Sequence, residues 1–364
     1  MDVAIVGAGI SGILSAYWLL RNKYTSSIVI YEKRSLNAIP RKHCSGIISR
    51  NTLLRIPYAY KFIENKYYKI KIYTMRNFEA ELVFDKNSIY KINRVAHEEY
   101  LMSIIMGRGV EITLNTNIVD VKKVQDKILV KGFNLRDTKF DRVIIAEGHP
   151  PNLSRKLGLA SQLDSFKSIQ QEVYLGKKLD SEETEVLHVY LSQDRGEFAW
   201  FIPINESKIL VGVVSKDNVF NKLSLAKKFF QKKLNTEIAR VEDMYGGVVL
   251  RGYPIKLVRE NILGIGDTVS MVKSLSGGGL YPISVVSKIY GENLHKLEVV
   301  NKKIKSIAKD LEKQYKLYNF ITNILKLFRS TLPAKKTTIY IGDSYFYDHH
   351  EKILAKAFIN IKLG

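Results

Sequence analysis

The chain has one cysteine, Cys44, which excludes an internal disulfide and an iron–sulfur cluster held by several thiolates. Cluster-containing electron carriers are therefore excluded. No grouping of His, Asp and Glu has the spacing of a metal centre, so no metal is expected, and His349 and His350 read as exposed tail residues. No uninterrupted apolar run approaches the ~20 residues of a membrane span. The first ordered motif begins at Asp2, leaving no room for a cleaved leader, so the expected location is cytoplasmic, with at most peripheral contact at the membrane face. Acidic residues are scarce: 36 against 57 basic ones leave a formal charge of +21, which favours a polyanionic partner, either nucleic acid or an anionic membrane surface. No nucleic-acid-binding module is recognisable, so nucleic acid is not expected. What is present is 364 residues at 46% hydrophobic, enough for about two domains with a full core.

The chain is organised around its first dozen residues. Asp2-Val3-Ala4-Ile5-Val6 is a β-branched run suited to a central parallel strand, and apolar residues from Ile13 to Leu20 recur at helical spacing. Between them lie Gly7, Gly9 and Gly12. In such a turn Gly7 permits the tight bend, Gly9 lets the backbone approach a pyrophosphate, and Gly12 lets the helix pack closely on the strand. The helix N-terminus then faces the phosphates. A second strand, Ser27 to Tyr31, ends at Glu32, twenty residues beyond Gly12, where a carboxylate can accept from a ribose hydroxyl. Lys33 follows it directly.

Further along, Arg41 to Ser49 has neither helical nor strand period and reads as a loop containing Cys44 and Gly46. Tyr68–Thr74 and Phe78–Phe84, joined by Arg76-Asn77, read as an antiparallel hairpin. A helix introduced by Asn93-Arg94 runs to Met106, and strands are expected at Val110–Leu114, Ile118–Val124, Ile128–Phe133 and Phe140–Ala146. Beyond Gly158, closely spaced strands at Ile169–Leu175, Val186–Ser192, Phe198–Ile204 and Ile209–Val214 predict an antiparallel substrate sheet. A second strand ending in small residues follows: Ile262-Leu263-Gly264-Ile265-Gly266-Asp267, then Ser276-Gly277-Gly278-Gly279-Leu280 and a helix through Tyr290. Asp267 can accept from a ribityl hydroxyl, and the glycine turn can present N–H groups to a pyrophosphate or flavin edge. A nicotinamide enzyme needs only the first glycine site, whereas extended FAD can use both.

Gly7-Ala8-Gly9-Ile10-Ser11-Gly12 together with Gly266-Asp267 and the Ser276–Leu280 loop resembles the FAD-dependent para-hydroxybenzoate hydroxylase superfamily. Within it the chain looks most like the geranylgeranyl reductases of archaeal lipid and chlorophyll synthesis, through Cys44-Ser45-Gly46 and through Phe198-Ala199-Trp200-Phe201-Ile202-Pro203, similar to a Tyr-x-Trp-x-Phe-Pro box. The resemblance covers about residues 1 to 295. It implies an α/β fold in which a Rossmann-like FAD-binding domain (1–66, 90–165 and 255–295) is interleaved with an antiparallel sheet domain (67–89 and 166–254), followed by a basic helical region (296–364). It also implies FAD as cofactor, held by Gly7, Gly9, Gly12, Glu32, Lys33, Arg41, Cys44, Gly46, Arg94, Gly148, Gly266, Asp267, Gly277, Gly278 and Gly279. Cys44 is implied as a catalytic residue near the flavin, and Trp200 with Phe198 as the substrate pocket. The implied partners are a polyprenyl lipid substrate and an external electron donor, ferredoxin or NAD(P)H, left open because no second strand–G-x-G-x-x-G–helix unit is visible.

The chain departs from the superfamily at Ala146-Glu147-Gly148, where an aspartate is usual, at Ser154-Arg155, and at Phe198. The aromatic box also resembles the Trp-x-Trp-x-Ile-Pro signature of flavin-dependent halogenases. A monooxygenase or halogenase acting on an aromatic substrate is the main alternative, and an electron carrier to a membrane quinone is a third. Bland readings exist for the single residues: Trp200 as core packing, Cys44 as a small buried hydrophobe, Arg94 as a solvated helix start. Near the C-terminus Ile304, Ile307, Leu311, Tyr315, Tyr318, Ile321 and Leu325 predict one or two amphipathic helices over 299–329. From His295 to Lys336 eleven Lys or Arg stand against Glu298, Asp310 and Glu312, which suits anionic lipid as well as a solvated face on a helix packed against its own protein.

Overall fold

A computed structural model of the protein describes residues 1–39, 42, 44–74, 79–192, 196–327, 336–343, 345–349 and 352–353. Two large sheets and a single long C-terminal helix organise it.

The first sheet has six strands in the order Val258–Arg259, Ile262–Gly264, Arg142–Ile145, Asp2–Val6, Ser27–Tyr31, Glu111–Thr113. All neighbours are parallel except the two-residue edge strand Val258–Arg259. Parallel strands are buried on both faces, which is why Val3, Ala4, Ile5, Val143, Ile144 and Ile145 are fully buried. Helices Ile10–Leu19, Arg94–Met106 and Leu280–Asn293 share this core. The helix at Arg94 starts where expected because Asn93 caps it, its side chain accepting from Ala96 N–H at 3.1 Å. Ile118–Val124 and Lys127–Gly132 are strands, but with Thr138–Phe140 they form a separate three-stranded antiparallel sheet packed on the same core.

The second sheet has eight strands in the order Ile238–Lys256, Ala160–Leu175, Lys208–Ser215, Phe198–Pro203, Val186–Leu191, Lys69–Thr74, Glu79–Phe84, Lys336–Gly342. It is not purely antiparallel as expected: Lys69–Thr74 runs parallel to Val186–Leu191, and Lys336–Gly342 parallel to Glu79–Phe84. The hairpin strands pair antiparallel; their joining residues Arg76 and Asn77 lie outside the described residues. Strict alternation gives this sheet two different faces. One, with Val173, Phe201 and Val211, is covered by the helix Val219–Lys233 through Leu223, Ala226 and Phe230. The other carries Phe198, Trp200, Ile202, Leu210 and Val214.

Three expectations need correction. Ile47–Ser49, read as loop, is a strand in a small sheet with Ile89–Ile92 and Ile63–Tyr67. The region 296–364 is not only helical, because Lys336–Gly342 covers an exposed edge of the large sheet. His349 is not an exposed tail residue: it is buried, with its Nε2 3.3 Å from the Tyr281 hydroxyl. His350 lies outside the described residues.

The basic region forms one helix, Leu297–Leu327, whose Val300, Ile304, Leu311 and Tyr318 are buried while Lys302, Lys303, Lys305, Lys309, Lys313 and Lys316 are exposed. Its apolar stripe is thus occupied by its own domain. Among the described residues no helix is long and apolar enough to cross a membrane.

Candidate functional site

The predicted cofactor segments converge at the carboxyl ends of four adjacent parallel strands: Gly266-Asp267 after Ile262–Gly264, Glu147-Gly148 after Arg142–Ile145, Gly7 to Gly9 after Asp2–Val6, and Glu32 after Ser27–Tyr31. That is where open α/β sheets bind nucleotides. Gly7 has φ of +109° and donates its N–H to Tyr31 O at 2.8 Å, fixing the bend. A side chain on Gly12 would collide with the Gly7 carbonyl, whereas a Cβ on Gly9 or Gly148 would meet nothing within 4 Å. The open space at Gly9 lies at the N-cap of the Ile10–Leu19 helix, which has no side-chain cap. A second helix, Leu280–Asn293, likewise starts uncapped at Gly279, where an added Cβ would lie 3.7 Å from Asp267 Oδ1. Two uncapped helix starts beside an acidic ribityl acceptor fit the pyrophosphate and sugar of FAD.

Glu32 is 2% exposed. Its Oε2 accepts Ala8 N–H at 2.8 Å and Arg34 Nη2 at 3.1 Å, and its Oε1 accepts Arg34 Nε at 2.9 Å. Burial pushes this carboxyl up, but the Arg34 and Ala8 hydrogen bonds outweigh it and hold the group below its ordinary value. A ribose hydroxyl bound here would have to share Glu32 with Arg34 or displace that half-buried side chain. Lys33 is exposed, and Arg41 lies outside the described residues. Glu147, where an aspartate was expected, binds protein instead: it accepts Leu153 N–H at 3.1 Å, Ser154 N–H at 2.8 Å and the Thr268 hydroxyl at 3.1 Å. It ties the end of Arg142–Ile145 to the turn that follows the neighbouring strand Ile262–Gly264.

Cys44 and Gly46 sit together, with Gly46 N–H 3.4 Å from Cys44 Sγ. Arg94 is not solvated. It is 9% exposed, its Nε donates to Glu98 Oε1 at 2.8 Å, and it lies beside Cys44; burial pulls the guanidinium down, and Glu98 and Cys44 more than offset this. The phenols of Tyr245 and Tyr347 are pushed up chiefly by burial, with the charge of Cys44 contributing. Tyr245 donates to Glu172 Oε1 at 3.0 Å, and Glu172 is bridged by Lys208 at 2.9 Å and Lys42 at 3.2 Å. Burial alone would raise Glu172; the two lysines lower it to about 2. Lys42 thus ties the Cys44 loop to the large sheet.

Trp200 and Phe198 lie on the face of that sheet that also carries Tyr245, and their rings are 5.6 Å apart. The aromatic box packs in an apolar cluster against which Ile47 and Tyr347 also lie, and Lys42 brings the Cys44 loop to the same sheet through Glu172. Gly277 to Gly279 form the turn between Lys273 and the last helix of the nucleotide unit, closed by Lys273 N–H to Gly278 O at 2.9 Å. Arg251, 1% exposed, backs this turn by donating to the carbonyls of Ser274 and, at 3.1 Å, Leu275.

A buried ion pair that no sequence pattern announces also stands here. Lys273 Nζ lies 3.1 Å from Asp348 Oδ1, and Asp348 also accepts from Ser49 and Thr52. Asp348 belongs to a segment with no periodicity and pairs far along the chain, so it leaves no local signal.

Among known proteins no family model matches the chain. An uncharacterised protein of Methanocaldococcus jannaschii is 24% identical over 335 residues, covering 84% of this chain and 79% of that one. Digeranylgeranylglycerophospholipid reductase 2 of Methanosphaera stadtmanae is 25% identical over 295 residues, covering 77% and 74%. Of solved structures, a geranylgeranyl bacteriochlorophyll reductase-like protein from Thermoplasma acidophilum superposes with a TM-score of 0.74 at 17% identity, covering 92% of each chain. A flavin-dependent brominase reaches 0.62 at 17% identity, covering 88% and 84%. Fold and cleft define the class: the chain has the mixed α/β fold of these flavoprotein-like structures, with an open glycine-lined cleft at the ends of the parallel strands. Within that class its sequence is similar, at 20–25% identity, to digeranylgeranylglycerophospholipid reductases.

Proposed function

We propose that the protein uses reduced FAD to saturate carbon–carbon double bonds of a polyprenyl chain, on an archaeal-type lipid or its precursor. The observation that carries this reading is an apolar sheet face: Phe198, Trp200, Ile202, Leu210 and Val214 lie together on it, and Lys42 ties the Cys44 loop to the same sheet through Glu172. Such a face suits a long hydrocarbon more than a compact polar ring.

When bound, reduced FAD would supply a hydride to one carbon of the alkene, with a proton added to the other, because an isolated alkene is a poor hydride acceptor by itself. The chain would hold it through the Gly7–Gly12 turn, Glu32, Gly148, Asp267 and the Gly277–Gly279 turn. Its aromatic box would align the substrate, and the buried sheet face would keep water from the reacting carbons. Lys208 and Lys42 keep the Glu172 carboxylate ionised beside this face. The relatives' names support this reading; the brominase neighbour keeps oxygen chemistry on aromatics as the competitor.

For the substrate to reach the site without a membrane span, the lysine-rich side of the Leu297–Leu327 helix would dock reversibly on anionic lipid. The deciding experiment reduces the holoprotein anaerobically and adds a geranylgeranyl lipid, or separately oxygen with a phenol. Flavin reoxidation with a gain of two hydrogens per bond on the lipid is expected. Oxygen-dependent hydroxylation or halogenation, with the lipid untouched, would overturn the reading.

A further inference from the structure

The apolar face of the large sheet that holds Trp200 carries two polar groups that its apolar character does not explain. Trp200 on one strand pairs with Gly212 on the next, and Gly212 pairs with Gln170 on the one after, so all three lie in one row on one face. A Cβ on Gly212 would lie 2.6 Å from Trp200 Cε2, the atom bonded to the indole nitrogen, and 2.7 Å from Gln170 Cβ. The missing side chain lets the indole edge lie over the gap, next to the glutamine. Trp200 is 8% exposed and Gln170 2%. Trp200 Nε1 and Gln170 Oε1 are buried without a hydrogen-bond partner among the described residues. The next residue in the row is Tyr245, whose hydroxyl donates to Glu172 at 3.0 Å, and Glu172 is bridged at 3.2 Å by Lys42 of the Cys44 loop, so the pair stands on the side of the sheet to which that loop is tied.

We propose that Gln170 and Trp200 form a polar recognition point on this face, reading an oxygen function on the substrate. The proposal rests on this face being the prenyl site. A purely hydrocarbon occupant would leave a buried donor and a buried acceptor unmet, which is costly. One hydroxyl answers both, accepting from the indole N–H and donating to the amide oxygen; an ether oxygen answers the indole, and the amide can turn to donate. The substrate class is accordingly a prenyl lipid whose oxygen-bearing end, and not its hydrocarbon tail, lies beside Trp200.

The protein has two tryptophans, Trp18 and Trp200, so in a Trp18→Phe holoprotein the indole emission reports Trp200 alone. Geranylgeraniol and the tetraene lacking its hydroxyl, presented in the same detergent micelles, would be titrated against that emission and against flavin absorbance. The alcohol is expected to bind at least about tenfold tighter than the hydrocarbon. Gln170→Leu and Gln170→Met should bring the two within about twofold while FAD stays bound and hydrocarbon affinity holds or improves. Equal affinities in the unsubstituted protein, as when a fixed water occupies the pair, or discrimination unchanged in both variants, would overturn the proposal. A second pair, 1-naphthol and naphthalene, separates this from the prenyl reading. Gln170-dependent preference for naphthol with no prenyl binding would refute the polyprenyl function and sustain the recognition point.

Discussion

Replacing Lys273 with methionine is expected to loosen the C-terminal segment from the cofactor-side loop without unfolding the protein. Lys273 and Asp348 are 5% and 0% exposed and 3.1 Å apart. At an effective dielectric of about 20 that separation corresponds to roughly 5 kcal/mol of attraction. Removing one partner of a buried pair typically costs about 3–5 kcal/mol, because the remaining charge is uncompensated. Asp348 keeps the hydroxyls of Ser49 and Thr52, which solvate it only in part. The unpaired charge has a local outlet: the segment can undock and return Asp348 to water, so the loss does not spread. Hydrogen exchange read by mass spectrometry should show faster exchange of amides in 336–343 and 345–349, by about two to three orders of magnitude, with the Asp2–Val6 sheet unchanged. Lys273→Met with Asp348→Leu should restore protection, since well-packed apolar groups can replace a buried pair. Unchanged exchange in the single variant, or a double variant as loose as the single one, would refute the reasoning.

Gly9→Val should leave the fold intact and lower FAD occupancy, because its Cβ meets no protein atom; Gly12→Val should instead destabilise the apoprotein, and equal effects on flavin content and melting for the two would contradict the cradle. Glu172→Gln should destabilise at neutral pH. Since folding depresses the carboxyl from 4.5 to about 2, its contribution is full above pH 4.5 and fades as pH falls through about 2, so the variant and the wild type should converge there in acid denaturation. Replacing Lys302, Lys303, Lys305 and Lys309 with Gln should abolish low-salt co-sedimentation with anionic vesicles. Each lysine contributes on the order of 1 kcal/mol, and salt-insensitive or absent binding in the unsubstituted protein would discard lipid docking.

The nucleotide cradle is legible in the sequence because its determinants are local. Gly7, Gly9 and Gly12 act on backbone a few residues away, Glu32 follows from the length of one helix, and the two-residue period of a strand is enough to put Phe198 and Trp200 on one face. Capping by Asn93 is equally short-range. Other features depend on which distant segments the fold brings together. Burial by neighbouring elements decided that Arg94 is paired with Glu98 and set against Cys44, and that His349 is inside. Strand order made the large sheet partly parallel, because the returning strand Lys336–Gly342 found its edge from the far end of the chain. Periodicity cannot report a lone carboxylate such as Asp348 that meets Lys273 across the fold. Nor can it report the gap over Gly212, which exists only because three strands put Trp200, Gly212 and Gln170 in one register. Side-chain chemistry along the chain pointed to a dinucleotide; only strand register and long-range burial decided which groups the apolar face of the large sheet presents.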